Sequence, residues 1–156
     1  MKPIFKAIIS ITLPLAVGAV SGFFTTASVN GWYSTVNKPS FNPPNWLFAP
    51  VWTSLYILMG IACFLIWNSK AETKEKQVAL RFYGIQLGLN FLWSFIFFYA
   101  QQPGWAFIEI ILMWIMILLT ILSFRKISTV AAWLLVPYIC WVSFASVLNF
   151  AIWYLN

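Results

Sequence analysis

The chain contains no histidine, two cysteines and three acidic residues, and charged side chains make up only 8% of its 156 positions. Without histidine no imidazole can ligate a metal. Cys63 and Cys140 lie in separate apolar runs with no CxxC partner, so a zinc site and imidazole-ligated haem are excluded for these side chains, and metal ligands are assigned to none. The two cysteines read as small apolar core residues, with no structural disulfide expected. The scarcity of charge excludes a water-facing surface, because soluble domains carry about 25% charged residues. Only Glu109 among the acidic residues falls within an apolar run, which leaves no chain of carboxylates for a proton or ion relay.

What the chain does have is hydrophobic length. Hydrophobic residues make up 62%, and apolar runs cover residues 4–29, 46–68, 78–100, 105–124 and 129–155. At about 1.5 Å per helical residue each can cross a hydrocarbon core of about 30 Å. The expected fold class is an all-α membrane protein: a bundle of five transmembrane helices in one domain spanning 1–156, with a long structured loop between the first and second. The first run has a basic start at Lys2 and Lys6 and small residues at Ala16-Val17-Gly18-Ala19. It continues to Val29, past the length of a signal peptide's apolar core, and is read as a span.

The net charge of +6 follows topology and implies no nucleic-acid partner. With the N-terminus in the cytoplasm, Lys2, Lys6, Lys70, Lys74, Lys76, Arg81, Arg125 and Lys126 fall inside and Lys38 alone falls outside. The proline-rich loop and the C-terminus are then external. Residues 69–77 form a charged inner turn, Gln101-Gln102-Pro103-Gly104 a tight outer one, and Arg125-Lys126-Ile127-Ser128 a short inner one. Short turns make sequential helices antiparallel neighbours. No internal repeat is present.

The loop at 30–45 is rich in proline and aromatics. Pro43-Pro44 fixes two φ angles and supplies no N–H, which excludes a helix interior, while Trp32, Tyr33, Trp46 and Trp52 give the segment stiff flat faces. Helical spacing of about 100° per residue assigns the faces around it. In the third span Gln86, Asn90, Trp93 and Phe97 share one stripe and, being costly in lipid, point the helix inward with it. The opposite stripe carries Gly84, Gly88, Phe91 and Phe95; its GxxxG spacing suits a homodimer through the third span. In the fifth, Tyr138, Trp141, Ala145 and Asn149 share a face just after Pro137, which removes a helix hydrogen bond. The second span offers Trp52, Tyr56, Met59 and Cys63; the first, Gly18, Ser21, Gly22 and Thr25; the fourth, Trp105, Glu109, Leu112, Met113 and Met116. Trp46, Trp105 and Trp153 at one boundary and Trp67 and Trp133 at the other read as an aromatic belt, and Trp114 has no evident role. The inward faces converge on an aromatic chamber beneath the loop, suited to a large planar apolar ligand.

Trp32-Tyr33, Lys38-Pro39, Pro43-Pro44-Asn45-Trp46 and Pro50-Val51-Trp52-Thr53-Ser54-Leu55-Tyr56 resemble the TspO/MBR family, the tryptophan-rich sensory proteins also known as translocator proteins or peripheral-type benzodiazepine receptors. Gln86, Asn90 and Trp93, and Val136-Pro137-Tyr138, Trp141 and Leu148-Asn149, are similar to its third- and fifth-helix motifs. The resemblance covers nearly the whole chain and implies a five-helix bundle, often dimeric, in a bacterial envelope. It implies a pocket for protoporphyrin IX or haem and for isoquinoline-carboxamide and benzodiazepine ligands. Tyr33, Trp52, Asn90, Trp141 and Ala145 match family pocket positions. Trp52 and Trp141 match the tryptophans implicated in light-driven porphyrin degradation, the tentative catalytic pair. One departure stands out: Tyr154 is followed only by Leu155 and Asn156, so the basic residue of the vertebrate sterol motif is missing.

The expected function is therefore a tetrapyrrole-binding, receptor-like membrane protein acting in porphyrin handling or in stress and light signalling. No cofactor is required; porphyrin is the ligand. The expected ligand-binding residues are Tyr33, Trp52, Tyr56, Gln86, Asn90, Trp93, Tyr138, Trp141, Ala145 and Asn149. A light- and oxygen-dependent porphyrin-degrading enzyme and a porphyrin transporter, with Glu109 as its one coupling group, are the alternatives.

Overall fold

The computed structural model describes all of residues 1–156 and is entirely helical. Helix α1 runs Pro3–Val29, α2 is a single turn at Trp32–Thr35, α3 runs Phe48–Trp67 after a 3-10 turn at Asn45–Leu47, and α4 runs Thr73–Ser94 into a π-helical turn at Phe95–Tyr99. Helix α5 runs Pro103–Arg125, α6 Thr129–Leu134 and α7 Val136–Leu155. Five segments are long and apolar enough to cross a membrane: Pro3–Val29, Asn45–Trp67, Thr73–Tyr99, Pro103–Arg125 and Thr129–Leu155.

Three boundaries differ from the sequence reading. Helix α4 begins at Thr73, inside the segment read as a charged turn, because Lys74, Glu75 and Lys76 are good helix formers that need no burial. The fifth span is two helices. Ser128 caps α6, its Oγ accepting from the Ala131 N–H at 3.2 Å, and the helix ends at Leu135 because Pro137 cannot donate the next bond. Pro137 thus starts α7 instead of kinking a longer helix. The third span ends in a π turn, where the Ala100 N–H reaches back five residues to the Phe95 carbonyl at 2.9 Å and Gln101 adopts a left-handed φ of 58°.

Helix α1 packs along α3, and α5 packs against α4 and α7. Helices α1 and α3 meet backbone to backbone at Gly60 on α3, where a Cβ would stand 2.7 Å from the Ile11 Cα and 2.8 Å from the Ser10 carbonyl oxygen, and meet again at Gly18 on α1, where a Cβ would stand 2.5 Å from the Tyr56 ring. Pro14 has no N–H to give Ser10, so that carbonyl is free to face the Gly60 Cα–H instead.

At the end of the bundle away from α2 the core is solid. Ala62, Ile66, Ala79, Ile117, Phe124 and Ala131 have no exposed surface, and the Tyr83 ring stacks on Phe124 at 5.9 Å. The exposed surface is largely apolar side chains such as Ile8, Phe23, Ile85 and Ile115, as a lipid-facing wall requires. Cys63 is half-buried in the packing, but Cys140 is exposed on α7 and not a core residue. Trp114 does have a partner: its Nε1 donates to the Ser143 Oγ at 2.8 Å, tying α5 to α7.

Candidate functional site

Residues 30–44 connect α1 to the 3-10 turn. The Tyr33 ring is buried against Phe48, Phe97 and Phe98, and its hydroxyl donates to the Asn42 Oδ1 at 2.8 Å. Burial pushes this phenol up to about 12, the hydrogen bond from Tyr33 to Asn42 working the other way. Lys38 lies 4.7 Å over the same ring. Asn37 and Asn156 exchange hydrogen bonds, Asn37 N–H to the Asn156 Oδ1 at 3.0 Å and Asn156 Nδ2 to the Asn37 carbonyl at 2.9 Å, which fastens the segment to the end of α7.

Beneath this segment lies a cavity of about 530 Å³. Its α1 wall is the stripe of Gly18, Ser21, Gly22 and Thr25; the Tyr56 ring packs over Gly18, and the missing side chain of Gly22 leaves open space. Opposite stand Trp52 and Tyr56 of α3, Trp93 of α4, Phe97 of the π turn, and Trp141, Ala145 and Asn149 of α7, with Tyr33 above. The rings are held by each other. Trp52 stacks on Tyr56 at 5.7 Å, Trp93 stacks on Phe97 at 5.2 Å, and Trp141 packs on Phe144 at 5.5 Å. Trp93 donates to the Asn149 Oδ1 at 2.9 Å, and the Asn149 Nδ2 donates to the Pro103 carbonyl at 2.8 Å. The Trp141 Nε1–H, by contrast, is buried with no partner.

Seven of the ten expected ligand residues therefore come together on one wall: Tyr33, Trp52, Tyr56, Trp93, Trp141, Ala145 and Asn149. The other three, Gln86, Asn90 and Tyr138, sit behind it. Tyr56 donates to the Asn90 Oδ1 at 2.7 Å, Asn90 donates to the Tyr138 hydroxyl at 2.8 Å, and Tyr138 donates to the Gln86 Oε1 at 2.7 Å. This relay is fully buried and its members bond to one another, the Gln86 Nε2 alone being left without a partner; it reaches the cavity wall through the Tyr56 hydroxyl and through the Tyr138 ring, which packs edge-on to Trp52 at 6.4 Å. Periodicity put them on inward faces, but it carries no information about which inward group bonds to which.

Gly84 and Gly88 face outward, with nothing within 4 Å of an added Cβ, so no part of the chain itself packs against them. Phe91 and Phe95, on the same stripe, are covered by Phe24 of α1 at 6.1 and 5.8 Å. On α5 the expected common face divides. Glu109 and Met113 are buried, while Trp105 and Leu112 are exposed.

The TspO/MBR family model matches residues 10–155. The chain belongs to the TspO/MBR family. It is 46% identical over 155 residues to the "Tryptophan-rich protein TspO" of Chlorobaculum tepidum, covering 99% of this chain and 98% of that protein. It is 46% identical over 153 residues to the protein of the same name from Archaeoglobus fulgidus, with 98% of each covered. Against the "Translocator protein" of Ovis aries the identity is 39% over 158 residues, covering 98% of this chain and 92% of the relative. Five apolar helices in a TspO/MBR chain make this a multi-pass integral membrane protein.

Proposed function

We propose that the chain binds tetrapyrroles, protoporphyrin IX or haem, in the cavity beneath the 30–44 segment. The observation that carries this reading is the coincidence of a preformed volume with four tryptophans on its wall, Trp46, Trp52, Trp93 and Trp141, and one buried indole N–H, that of Trp141, left without an acceptor. A volume of this size lies within the range of small-molecule pockets, about 300–1,000 Å³. Flat indoles hold a planar macrocycle by stacking, and the free N–H of Trp141 suits a carboxylate or carbonyl on the ligand's edge. The same features suit isoquinoline-carboxamide and benzodiazepine ligands, whose carbonyl is such an acceptor. With no histidine in the chain the ring is held without an imidazole, so metal-free protoporphyrin binds about as well as haem. Relatives carry the names "Translocator protein" and "Tryptophan-rich sensory protein", which fit a receptor that reports or moves its ligand.

In this reading the N-terminus lies in the cytoplasm and the 30–44 segment outside, in a bacterial envelope, an orientation that the lysine and arginine distribution supports. It dimerises through the Gly84–Gly88 face of α4, the stripe left bare within the monomer. One observation favours a second activity: Trp52 and Trp141 both stand on the cavity wall, where an excited porphyrin exchanges electrons with an indole in contact with it.

The test is a dark titration of the detergent-purified protein with protoporphyrin IX, following tryptophan fluorescence, beside Trp141→Ala. Saturable quenching that weakens in the variant supports the reading. Quenching that never saturates, or is unchanged in the variant, overturns it. Illumination then separates the second activity: bleaching undiminished in Trp52→Phe plus Trp141→Phe leaves a binding protein only.

A further inference from the structure

The charge of the chain is gathered at the solid end of the bundle. Lys2, Lys6, Lys70, Lys74, Lys76, Arg81, Arg125 and Lys126 stand on the helix ends and turns there, against two carboxylates, Glu72 and Glu75. None of these cations forms a salt bridge. Six of the eight are exposed, as solvated cations are, but Lys6 and Lys76 are half-buried. Both converge on Trp67, the last residue of α3. The Lys6 Nζ lies 5.9 Å from the centroid of the Trp67 ring, and the Lys76 Nζ donates to the Trp67 carbonyl at 3.2 Å. The first turn of α1, the end of α3 and the first turn of α4 thus form one corner. An ammonium carries three donors, so one ring face and one carbonyl leave most of the N–H groups at this corner without an acceptor. Apolar packing of the two stems explains where the heads lie and supplies no counter-charge. Along α1 from Lys6, at the helical spacing of one face, Ile9 and Leu13 are exposed and form an apolar wall.

We propose that the corner of Lys6, Trp67 and Lys76 is a binding site for an anionic phospholipid, its headgroup phosphate held by the two ammonium groups and an acyl chain lying along Ile9 and Leu13. Basic pockets between spans, at the level where a helix leaves the hydrocarbon, take headgroups of this charge. Charge and shape together decide the occupant. A zwitterionic headgroup brings its own ammonium against the lysines, and a free phosphate has no chain for the apolar wall beside them. The corner lies at the opposite end of the bundle from the aromatic chamber and shares no residue with it, so the site stands independently of the tetrapyrrole reading.

The test is native mass spectrometry of the full chain, titrated with phosphatidylglycerol or with phosphatidylcholine of the same acyl chains. One phosphatidylglycerol should bind well ahead of any phosphatidylcholine. Lys6→Gln plus Lys76→Gln should lower that preference about tenfold or more, an ammonium near an anionic headgroup being worth about fivefold. The readout is the ratio of the two lipids bound, so a general loosening of the fold, which lowers both, does not mimic the loss. Lys74→Gln plus Lys126→Gln removes the same charge from exposed positions and should leave the preference within about twofold of the parent, because solvated charges are screened. Glycerol phosphate, the headgroup without its chains, should not displace the bound lipid. Equal binding of the two lipids, equal losses in the two double variants, or displacement by glycerol phosphate overturns the proposal.

Discussion

The two ends of the bundle are packed in opposite ways. Away from the 30–44 segment, Ile66, Ala79, Ile117, Phe124 and Ala131 leave no exposed surface. Beneath the segment, equally large rings enclose a cavity of about 530 Å³. Between them lies the buried relay of Tyr56, Asn90, Tyr138 and Gln86. The lesson is a division of labour. The solid end supplies stability, and the relay holds the backs of Tyr56 and its neighbours so that the hollow end keeps its shape.

Substitutions can break this contrast in graded steps. The largest effect belongs to the solid end: Phe124→Ala removes a fully buried ring stacked on Tyr83 and should cost about 3–5 kcal/mol, seen as a large fall in the thermal midpoint. Gly60→Ala comes next. Its Cβ meets backbone of α1 at 2.7 Å, so the helices must part, at about 1–3 kcal/mol. Gly22→Ala, on the cavity side of the same helix pair, meets nothing within 4 Å and should leave the midpoint within about 0.5 kcal/mol of the parent; an equal loss in both glycine variants would erase the distinction between the ends. Tyr138→Phe sits between the ends. It strips a donor from Gln86 and an acceptor from Asn90, and should cost about 1–3 kcal/mol and loosen Tyr56, so that binding in the chamber falls along with stability.

A last effect is one of pH. Tyr33 is protonated more tightly in the folded protein, with its phenol at about 12 against an ordinary 10. Its contribution is therefore fully present below pH 10 and is lost as the pH rises through about 12. Tyrosinate absorbance at 295 nm, read as a difference between the parent and Tyr33→Phe (about 295 nm being the phenolate band), should show one late-titrating group. A difference already complete near pH 10 would mean that the ring is not held under the segment.

Much of this was legible in the sequence, for identifiable reasons. Apolar runs set the five spans to within a few residues, apart from the early start of α4, because a membrane helix must be both apolar and long. The stripe Gln86, Asn90, Trp93 and Phe97 is buried as its spacing required. What periodicity cannot carry is pairing. It gave Trp114 no partner, though Ser143 waits one helix away, and it could not tell the chamber wall from the relay behind it. The π turn was hidden for a different reason: Phe95–Tyr99 contains no glycine or proline, and its aromatic run reads as plain helix. Pro137 did signal the break before α7, but a proline alone does not say whether a helix bends or restarts.

The close approach of Gly60 to Ser10 and Ile11 has a mechanical consequence. It rivets α1 to α3 near one end, and Pro14 follows immediately, where the helix lacks a hydrogen bond. Beyond that point α1 meets the chamber with Gly18, Ser21, Gly22 and Thr25. The helix is thus pinned at two levels, to α3 below the notch and, above it, by the Tyr56 ring over Gly18 and by Phe24 against Phe91, Phe95 and Tyr99, so the wall that faces the indoles is held from both sides of the missing hydrogen bond.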